Sequence, residues 1–241
     1  MSKTDRSNQL LNWFSSEKLK DQRELDKGKE KLIKEKKPLT GLLQPRRDLE
    51  LDALVEILDK KRFITCHSYV QSEINMLMKV ADNFNFKVNT FTHILEGYKV
   101  ADKMLEHGVG GSTFSDWWAY KFEVNDAIPY NASIMHNVGI TVAINSDDRE
   151  MSRRLNQEAG KTIKYGDVSE EDAWKFVTLN PAKLLHIDDK VGSVKVGKDA
   201  DLVLWNNHPL SVYAKAEKTI IEIAKSLTLQ ENYKGNVLLH G

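Results

Sequence analysis

From about residue 48, apolar residues along the chain alternate between two spacings. Helical spacing predicts helices around residues 51–58, 74–81, 100–105, 128–138, 149–163 and 169–177. Short β-prone runs lie between them, at residues 62–66, 87–92, 111–114 and 140–145. Strands that alternate with helices in this way are typical of βα units, so the pattern predicts an α/β fold with a parallel sheet.

The pattern is different towards both ends of the chain. Residues 17–37 contain 15 charged side chains, nine basic and six acidic, with few apolar positions. This composition predicts a solvated helix or a partly ordered segment, and the mixed signs disfavour the alternative of a nucleic-acid-binding arm. Residues 191–204 hold short β-prone runs with glycine turns, which predict a small β element separate from the βα units.

Composition excludes several classes of protein. The 241 residues carry 35 basic and 35 acidic side chains, and this zero net charge disfavours a dedicated nucleic-acid-binding protein. No apolar run approaches the roughly 20 residues that span a bilayer, and the polar start lacks the apolar core of a signal peptide. The compartment is left open. Cys66 is the one cysteine, which excludes an intrachain disulfide. It precedes His67 in a predicted strand and so points to the opposite face, which favours a buried core thiol.

Polar side chains follow three of the predicted strands. These are His67, His93 and Asp147. In parallel βα folds the active site lies at the carboxyl ends of the strands, and imidazole and carboxylate groups are ligands for a zinc-like ion. A carboxylate beside a metal-bound water can also act as general base. The pattern predicts a site formed by these three residues, with a structural hydrogen-bonding role as the alternative for each histidine.

The segment after the third strand offers further candidates. Trp117 and Trp118 either line a substrate pocket or pack under a loop. Ser115 and Asp116 are candidate pocket groups, although capping of the next helix is the favoured interpretation.

Several longer motifs resemble the amidohydrolase superfamily, and in particular its imidazolonepropionase-like branch. The motifs are TCHSY (65–69), FTHILEGYKVADKM (91–104), GGSTFSDWWAYKFE (110–123), HNVGITVAINSDD (136–148), EMSRRLNQEAGKTIKYG (150–166) and VTLNPAKLLHIDDKVGSVKVGKDADLVLW (177–205). The resemblance covers roughly residues 46 to 221. It implies a metal-dependent hydrolase on a (β/α)8 TIM-type barrel with a small β-sandwich.

The resemblance also implies roles for the strand-end residues. His67 matches a metal ligand after barrel strand five, and His93 matches the histidine after strand six, which is a ligand or faces the substrate. Asp147 matches the metal-binding and catalytic aspartate after strand eight. As general base and then acid, it would take a proton from a metal-bound water that attacks a C–N carbon. The implied cofactor is a divalent metal such as zinc, and the implied substrates are cyclic amides or related small molecules, not classical peptide bonds.

The chain departs from the family in one important respect. The seven histidines include no HxH pair, which the family supplies after strand one. The chain therefore resembles a C-terminal half, with a charged helical or loop lead-in (1–47), half of a barrel (48–186), part of the β-sandwich (187–223) and an unassigned tail (224–241).

This departure leaves two interpretations of the chain open. In the first, the chain belongs to a metal-dependent hydrolase, although we expect it to be weak or inactive alone. In the second, it is a catalytically inactive fragment, or a half-enzyme that needs a partner for the missing HxH half. The expected partners are a small-molecule substrate and a complementary N-terminal half or a second copy of the chain, with no nucleic acid or membrane.

Overall fold

The computed structural model describes residues 24–25, 27–35 and 49–221. Most of the charged lead-in and all but one residue of the sequence after Ile220 therefore lie outside the described residues, including the whole unassigned tail. Contacts divide the chain into two compact units, Met1–Val55 and Glu56–Gly241. In the first unit, residues 27–34 are helical.

The second unit and its approach consist of short helices and strands. In chain order they are α1 (Leu49–Leu58), β1 (Thr65–His67), α2 (Gln71–Asn83), β2 (Thr90–Thr92), α3 (Ala101–His107), β3 (Gly110–Thr113), α4 (Asn131–Val138), β4 (Val142–Ile144), α5 (Leu155–Gly166), α6 (Glu170–Lys175), α7 (Leu179–Leu184), β5 (Leu202–Trp205) and β6 (Ala216–Ile220). Short 3-10 turns cover Gly97–Lys99, Phe122–Val124 and Met151–Arg154. None of the helices within the described ranges is long and apolar enough to cross a membrane.

The strands β1 to β4 form one parallel sheet in chain order. This confirms the predicted α/β fold with a parallel sheet. Among the described residues the sheet is open, with β1 and β4 at its edges, so these residues do not close a barrel. The register pairs His67 with Thr92 and Thr113 with Ile144, so the strands end at nearly the same level.

The strands are shorter than the β-prone runs that predicted them. The run 87–92, for example, gives a strand only over Thr90–Thr92. The reason is local, because the Val88 N–H donates to His107 Nε2 at 3.2 Å instead of to a neighbouring strand. The Lys87 ammonium likewise donates to the His107 carbonyl at 2.8 Å.

The helices cover the sheet through the apolar residues that predicted them. Ile74, Met78 and Ala81 of α2 are buried against the same core as Phe91 of β2. The core continues through side chains of the later elements, including Met104, Met135, Val142 and Phe176. Burial of such side chains contributes about 1.5 to 3 kcal/mol each, so this core holds the helices on the sheet.

Glycine is required where α3 ends. Gly108 follows the helix with φ +80°, a left-handed conformation that side chains other than glycine adopt at a cost. Its N–H donates to the carbonyls of Met104 and Leu105, which closes the last turn. The chain then reverses directly into β3, so the helix and the strand stay adjacent.

The β element predicted over residues 191–204 forms a strand only at its end. Residues 191–201 form turns, and β5 begins only at Leu202. Gly192 and Gly197 adopt left-handed φ values of +86° and +91°, which bend the chain out of an extended conformation. The structure instead pairs β5 with β6 as an antiparallel ribbon, with Leu202 opposite Ile220.

Ser169 caps the start of α6. The Ser169 Oγ accepts a hydrogen bond from the Asp172 N–H at 3.0 Å, and its hydroxyl donates to the Asp172 carboxylate at 2.8 Å. The hydrogen bond from Ser169, followed by one from Lys175, lowers the pKa of Asp172. Such caps stabilise a helix start by about 1 kcal/mol.

A buried histidine links α2 and α3 to the start of β2. His107 lies at the end of α3, where its Nδ1 is 2.9 Å from Asp82 Oδ1 and its Nε2 accepts from Val88 N–H. An Nε2 that accepts must be unprotonated, so the neutral ring carries its proton on Nδ1 and donates it to Asp82. Both ring nitrogens are therefore satisfied in a site that is 4% exposed.

We expect His107→Ala to lower the free energy of unfolding by about 2 to 3 kcal/mol, because it leaves the Val88 N–H buried without its acceptor. Urea denaturation measures the change. Glu106→Ala, an exposed neighbour on the same helix, should change stability by less than about 0.5 kcal/mol. Equal effects of the two substitutions would contradict a structural role for the His107 ring.

Candidate active site

The three strand-end residues lie together at the carboxyl edge of the parallel sheet. His67 is the last residue of β1, and its ring centroid is 4.2 Å from that of His93, which follows β2. His93 Nε2 is in turn 3.6 Å from Asp147 Oδ2. The arrangement arises because neighbouring parallel strands end at the same level, so the residues that follow them meet.

His93 and Asp147 both leave their strands through an unusual backbone conformation. Their φ values are +59° and +46°, in the left-handed region that non-glycine residues enter at a cost on the order of 1 kcal/mol or more. The strand ladder continues up to these points, since Ile94 N–H donates to Ser112 O and Asn145 N–H donates to Thr113 O. The chain therefore turns sharply at the edge of the sheet, where the two side chains meet.

The environment of His93 favours its neutral form. Its side chain is 18% exposed, and burial is the main cause that lowers its pKa. The nearby His67 and Lys121 lower the pKa further, whereas the Asp147 carboxylate opposes the shift. His93 therefore presents a neutral imidazole, the form that binds a metal or accepts a proton.

The donor set fits a divalent ion in type but not in number. Two imidazoles and a carboxylate are suitable ligands, and His93 Nδ1 is buried without a hydrogen-bond partner among the described residues. However, this part of the chain contains no group of three His, Cys, Asp or Glu side chains arranged to hold a metal. The three residues can therefore supply part of a ligand set, and any remaining ligands must come from elsewhere.

An aromatic stack lies against His93. Phe114 is stacked on the His93 ring at 5.0 Å, and Trp117 is stacked on Phe114 at 4.9 Å. We call Phe114 and Trp117 the aromatic wall. The structure separates the two predicted tryptophans, because Trp118 is 41% exposed and packs edge-on near Tyr165 instead.

A tyrosine and a lysine border the other histidine. Tyr69 meets the His67 ring edge-on at 4.8 Å, and the Lys121 ammonium lies 4.1 Å from the centre of the Tyr69 ring. A hydrogen bond with Tyr69 is the main cause that raises the pKa of Lys121. Sequence reasoning missed Tyr69, although residues two apart in an extended chain share a face and His67 marks that face.

Ser115 and Asp116 do not cap the next helical turn, so that interpretation is wrong. The 3-10 turn at Phe122–Val124 begins after Lys121 without a side-chain cap. The Ser115 hydroxyl instead donates to Glu158, and Asp116 accepts from Lys161. The five residues between Asp116 and the turn carry the chain too far for a cap, while α5 lies beside the loop.

Cys66 faces away from the candidate site. Its side chain is partly buried and packs against the main hydrophobic core, as the alternation of a strand predicts. Burial raises the pKa of the thiol, and Glu73 raises it further. The thiol is therefore kept protonated, in line with the predicted core role.

Parts of the chain are similar to a known protein family and to curated proteins. Residues 125–232 match the family model described as the Amidohydrolase family. The chain is 28% identical over 173 residues to the amidohydrolase tasK of Hapsidospora irregularis, covering 69% of this chain and 17% of that protein. It is 38% identical over 76 residues to the imidazolonepropionase of Picrophilus torridus, covering 31% and 19% of the two chains.

The fold is also similar to solved structures. An amidohydrolase from Thermotoga maritima MSB8 superposes with a TM-score of 0.72 at 24% identity, covering 90% of this chain and 52% of that one. The chain thus spans about half the length of that structure and less than a fifth of the two curated relatives.

We expect the lowered pKa of His93 to make folding stability depend on pH. In the unfolded chain a histidine gains a proton near pH 6.5, whereas the folded protein resists protonation of His93. The stability from neutral His93 is therefore present above about pH 6.5 and is lost as pH falls towards the folded pKa. His93→Gln should lose less stability between about pH 7.5 and pH 5.5 than the unmodified chain.

Urea denaturation at the two pH values measures this difference. His208→Gln is the matched control, because the His208 side chain is 52% exposed. His208→Gln should lose as much stability between about pH 7.5 and pH 5.5 as the unmodified chain does. If both variants lose the same stability as the unmodified chain, the environment of His93 does not favour the neutral ring.

Proposed function

We propose that this chain, whose residues 125–232 match the Amidohydrolase family, contributes the C-terminal half of a metal-dependent hydrolase. The proposed reaction is hydrolysis of C–N bonds in cyclic amides or related small molecules. One observation carries the proposal: His67, His93 and Asp147 converge at the carboxyl ends of three of the four parallel strands. This is where parallel βα enzymes place their reacting groups.

The chemistry of the three residues supports this reaction. A divalent metal such as zinc, when bound, would activate water and stabilise negative charge that develops on the substrate. His67 and His93 would hold it through neutral imidazoles, a form that the lowered pKa of His93 favours. The Asp147 side chain is 57% exposed, so water reaches it. It would accept a proton from the attacking water and pass it to the leaving nitrogen.

The aromatic wall supports a planar, partly apolar substrate. Phe114 is buried behind His93, and Trp117 continues the stack towards the loop surface. Because Phe114 is 3% exposed, the half-buried Trp117 is the part of the wall on which a small ring with an amide bond would pack. Trp118 packs elsewhere, so we assign no substrate contact to it.

We expect Asp147→Asn to reduce hydrolysis about 10²- to 10⁴-fold, because the amide cannot take the proton from water. Turnover is measured with cyclic amides once the chain is assembled with the ligands that it lacks. Asp148→Asn is the matched control. Asp148 Oδ1 accepts from the Glu150 and Met151 N–H groups at 2.8 Å, and an asparagine oxygen can do the same. Equal losses in both variants would contradict a proton-transfer role for Asp147.

A second candidate function is that of a half-enzyme that pairs with another polypeptide, and the exposed edge of β1 favours it. Ile64 O and Ser68 N–H are bonded towards β2, so the alternating groups of Thr65 and His67 face the opposite edge. Both residues are exposed, and among the described strands β1 pairs with β2 alone. Such an edge can accept a further strand.

The opposite edge of the sheet is already covered. Ile144 N–H of β4 donates to Phe176 O at 2.9 Å, and Val142 O accepts from Asn180 Nδ2 at 2.8 Å. The segment from α6 to α7 therefore satisfies the groups of β4 that point away from β3. A partner would add a strand at β1, where it would also approach His67.

We expect the isolated chain to bind less than one zinc per molecule, and a polypeptide with four strands and an HxH pair to restore zinc binding. Thr65→Pro should block this complementation, because it removes the outward N–H without touching the bonds to β2. Thr65→Val keeps the N–H and should complement normally. Metal analysis of the mixture after gel filtration measures both.

Stoichiometric zinc and turnover in the isolated chain would exclude the half-enzyme. Failure of any such polypeptide to bind would instead favour an inactive fragment. Self-association of the chain without added polypeptide would identify a second copy as the partner.

A further inference from the structure

A carboxylate that the proposed reaction does not use is completely buried beside the site. Glu158 projects from α5, and its side chain is 2% exposed. The Ser115 hydroxyl and the Lys161 ammonium both donate to its Oε2, the latter at 2.8 Å. Arg154 Nε lies 3.7 Å from Oε1. A buried carboxylate is costly unless it is paired and hydrogen-bonded, and these contacts provide both.

Lys161 extends this cluster to the loop after β3. Its ammonium contacts Asp116 as well as Glu158. Burial alone would lower the pKa of Lys161, but the hydrogen bonds to Asp116 and Glu158 outweigh it and raise the pKa. The cluster of Glu158, Lys161, Ser115, Asp116 and Arg154 therefore contains two acidic and two basic groups. We call it the Glu158 cluster.

The position of the cluster indicates what it does. Ser115 and Asp116 are the two residues between Phe114 and Trp117, the members of the aromatic wall. Glu158 and Lys161 lie one turn apart on α5, so they hold consecutive loop residues at two points. These contacts therefore restrain the loop segment that carries the aromatic wall.

A further contact ties the wall to the Asp147 side of the site. The Trp117 Nε1–H donates to Met151 Sδ at 2.8 Å. Met151 begins the 3-10 turn that leads from the Asp147 loop into α5. The loop after β3 is thus held both by α5 and by the turn that leads from the loop after β4 into α5.

We propose that Glu158, through its contacts with Ser115 and Lys161, is a positioning residue that fixes the aromatic wall against His93. The inference rests on the proposed function only in taking His93 as a site residue. The positioning role is tested through the geometry of the aromatic wall and not through hydrolysis. It can therefore fail while the hydrolase proposal stands, and the hydrolase proposal can fail while the positioning role stands.

A general contribution to stability is the competing explanation. In that case, loss of the cluster would loosen the whole unit, including the distant His107 contacts with Asp82 and Val88. A positioning role predicts a local change at His93 and Trp117 alone. His107 therefore serves as an internal reference within the same molecule.

The experiment is NMR of the full chain with ¹³C-labelled histidine and ¹⁵N-labelled tryptophan. His93→Gln and Trp117→Phe spectra assign the two site signals, and His107→Gln assigns the reference. In Glu158→Gln and in Ser115→Ala we expect the His93 ring protons to lose the upfield shift that stacking on Phe114 causes. The Trp117 indole N–H should move towards its position in water.

Controls decide between the two roles. Glu171→Gln makes the same chemical change at a carboxylate that is 80% exposed and paired with Lys175, and it should leave all three signals in place. Unchanged His93 and Trp117 signals in a folded variant would overturn the proposal, and so would equal movement of the His107 signal. If Glu158→Gln does not fold, Ser115→Ala decides, since it keeps the Glu158–Lys161 pair and removes only the link to the loop.

Discussion

The candidate site depends on the parallel ladder that joins β1 to β4. In this ladder Thr65 pairs with Thr90, Thr90 with Gly110 and Gly111 with Val142, so four short strands run in one direction and end at nearly one level. An antiparallel pairing of any of them would place one of the site residues at the opposite edge. The direction of the strands, more than any single contact, therefore brings two histidines and a carboxylate together.

The ladder determines where along the strands the site residues lie, and the loops determine how their side chains are arranged. His93 and Asp147 turn out of their strands in left-handed conformations, which places their side chains 3.6 Å apart. Phe114 and Trp117 close one side of His93, and α5 holds their loop through Glu158. Strained backbone at a site persists only where the surroundings determine it, and here the ladder hydrogen bonds of Ile94 and Asn145, residues close in sequence to His93 and Asp147, provide part of those surroundings.

Sequence reasoning predicts the parts of this structure that follow from local spacing. Helical stripes such as Ile74 and Met78 are buried as expected, and polar residues after β-prone runs do lie at strand ends. It misassigns Ser115, because the partner Glu158 is 43 residues away and a serine before a helical turn usually caps it. It also misses Phe114 as part of the site, because an apolar residue after a strand is indistinguishable from core until its neighbour His93 is known.

The two edges of the sheet differ in a way that bears on how the site is completed. The β4 edge is satisfied by Phe176 O and Asn180 Nδ2, while the outward groups of Thr65 and His67 at the β1 edge face no other described strand. The site lies across the sheet from one edge to the other, with Asp147 after the covered strand and His67 on the exposed one. A further strand can therefore approach His67 without disturbing the Asp147 side. The strand at the open edge of the described sheet is thus also the strand that carries the first of the three converging residues.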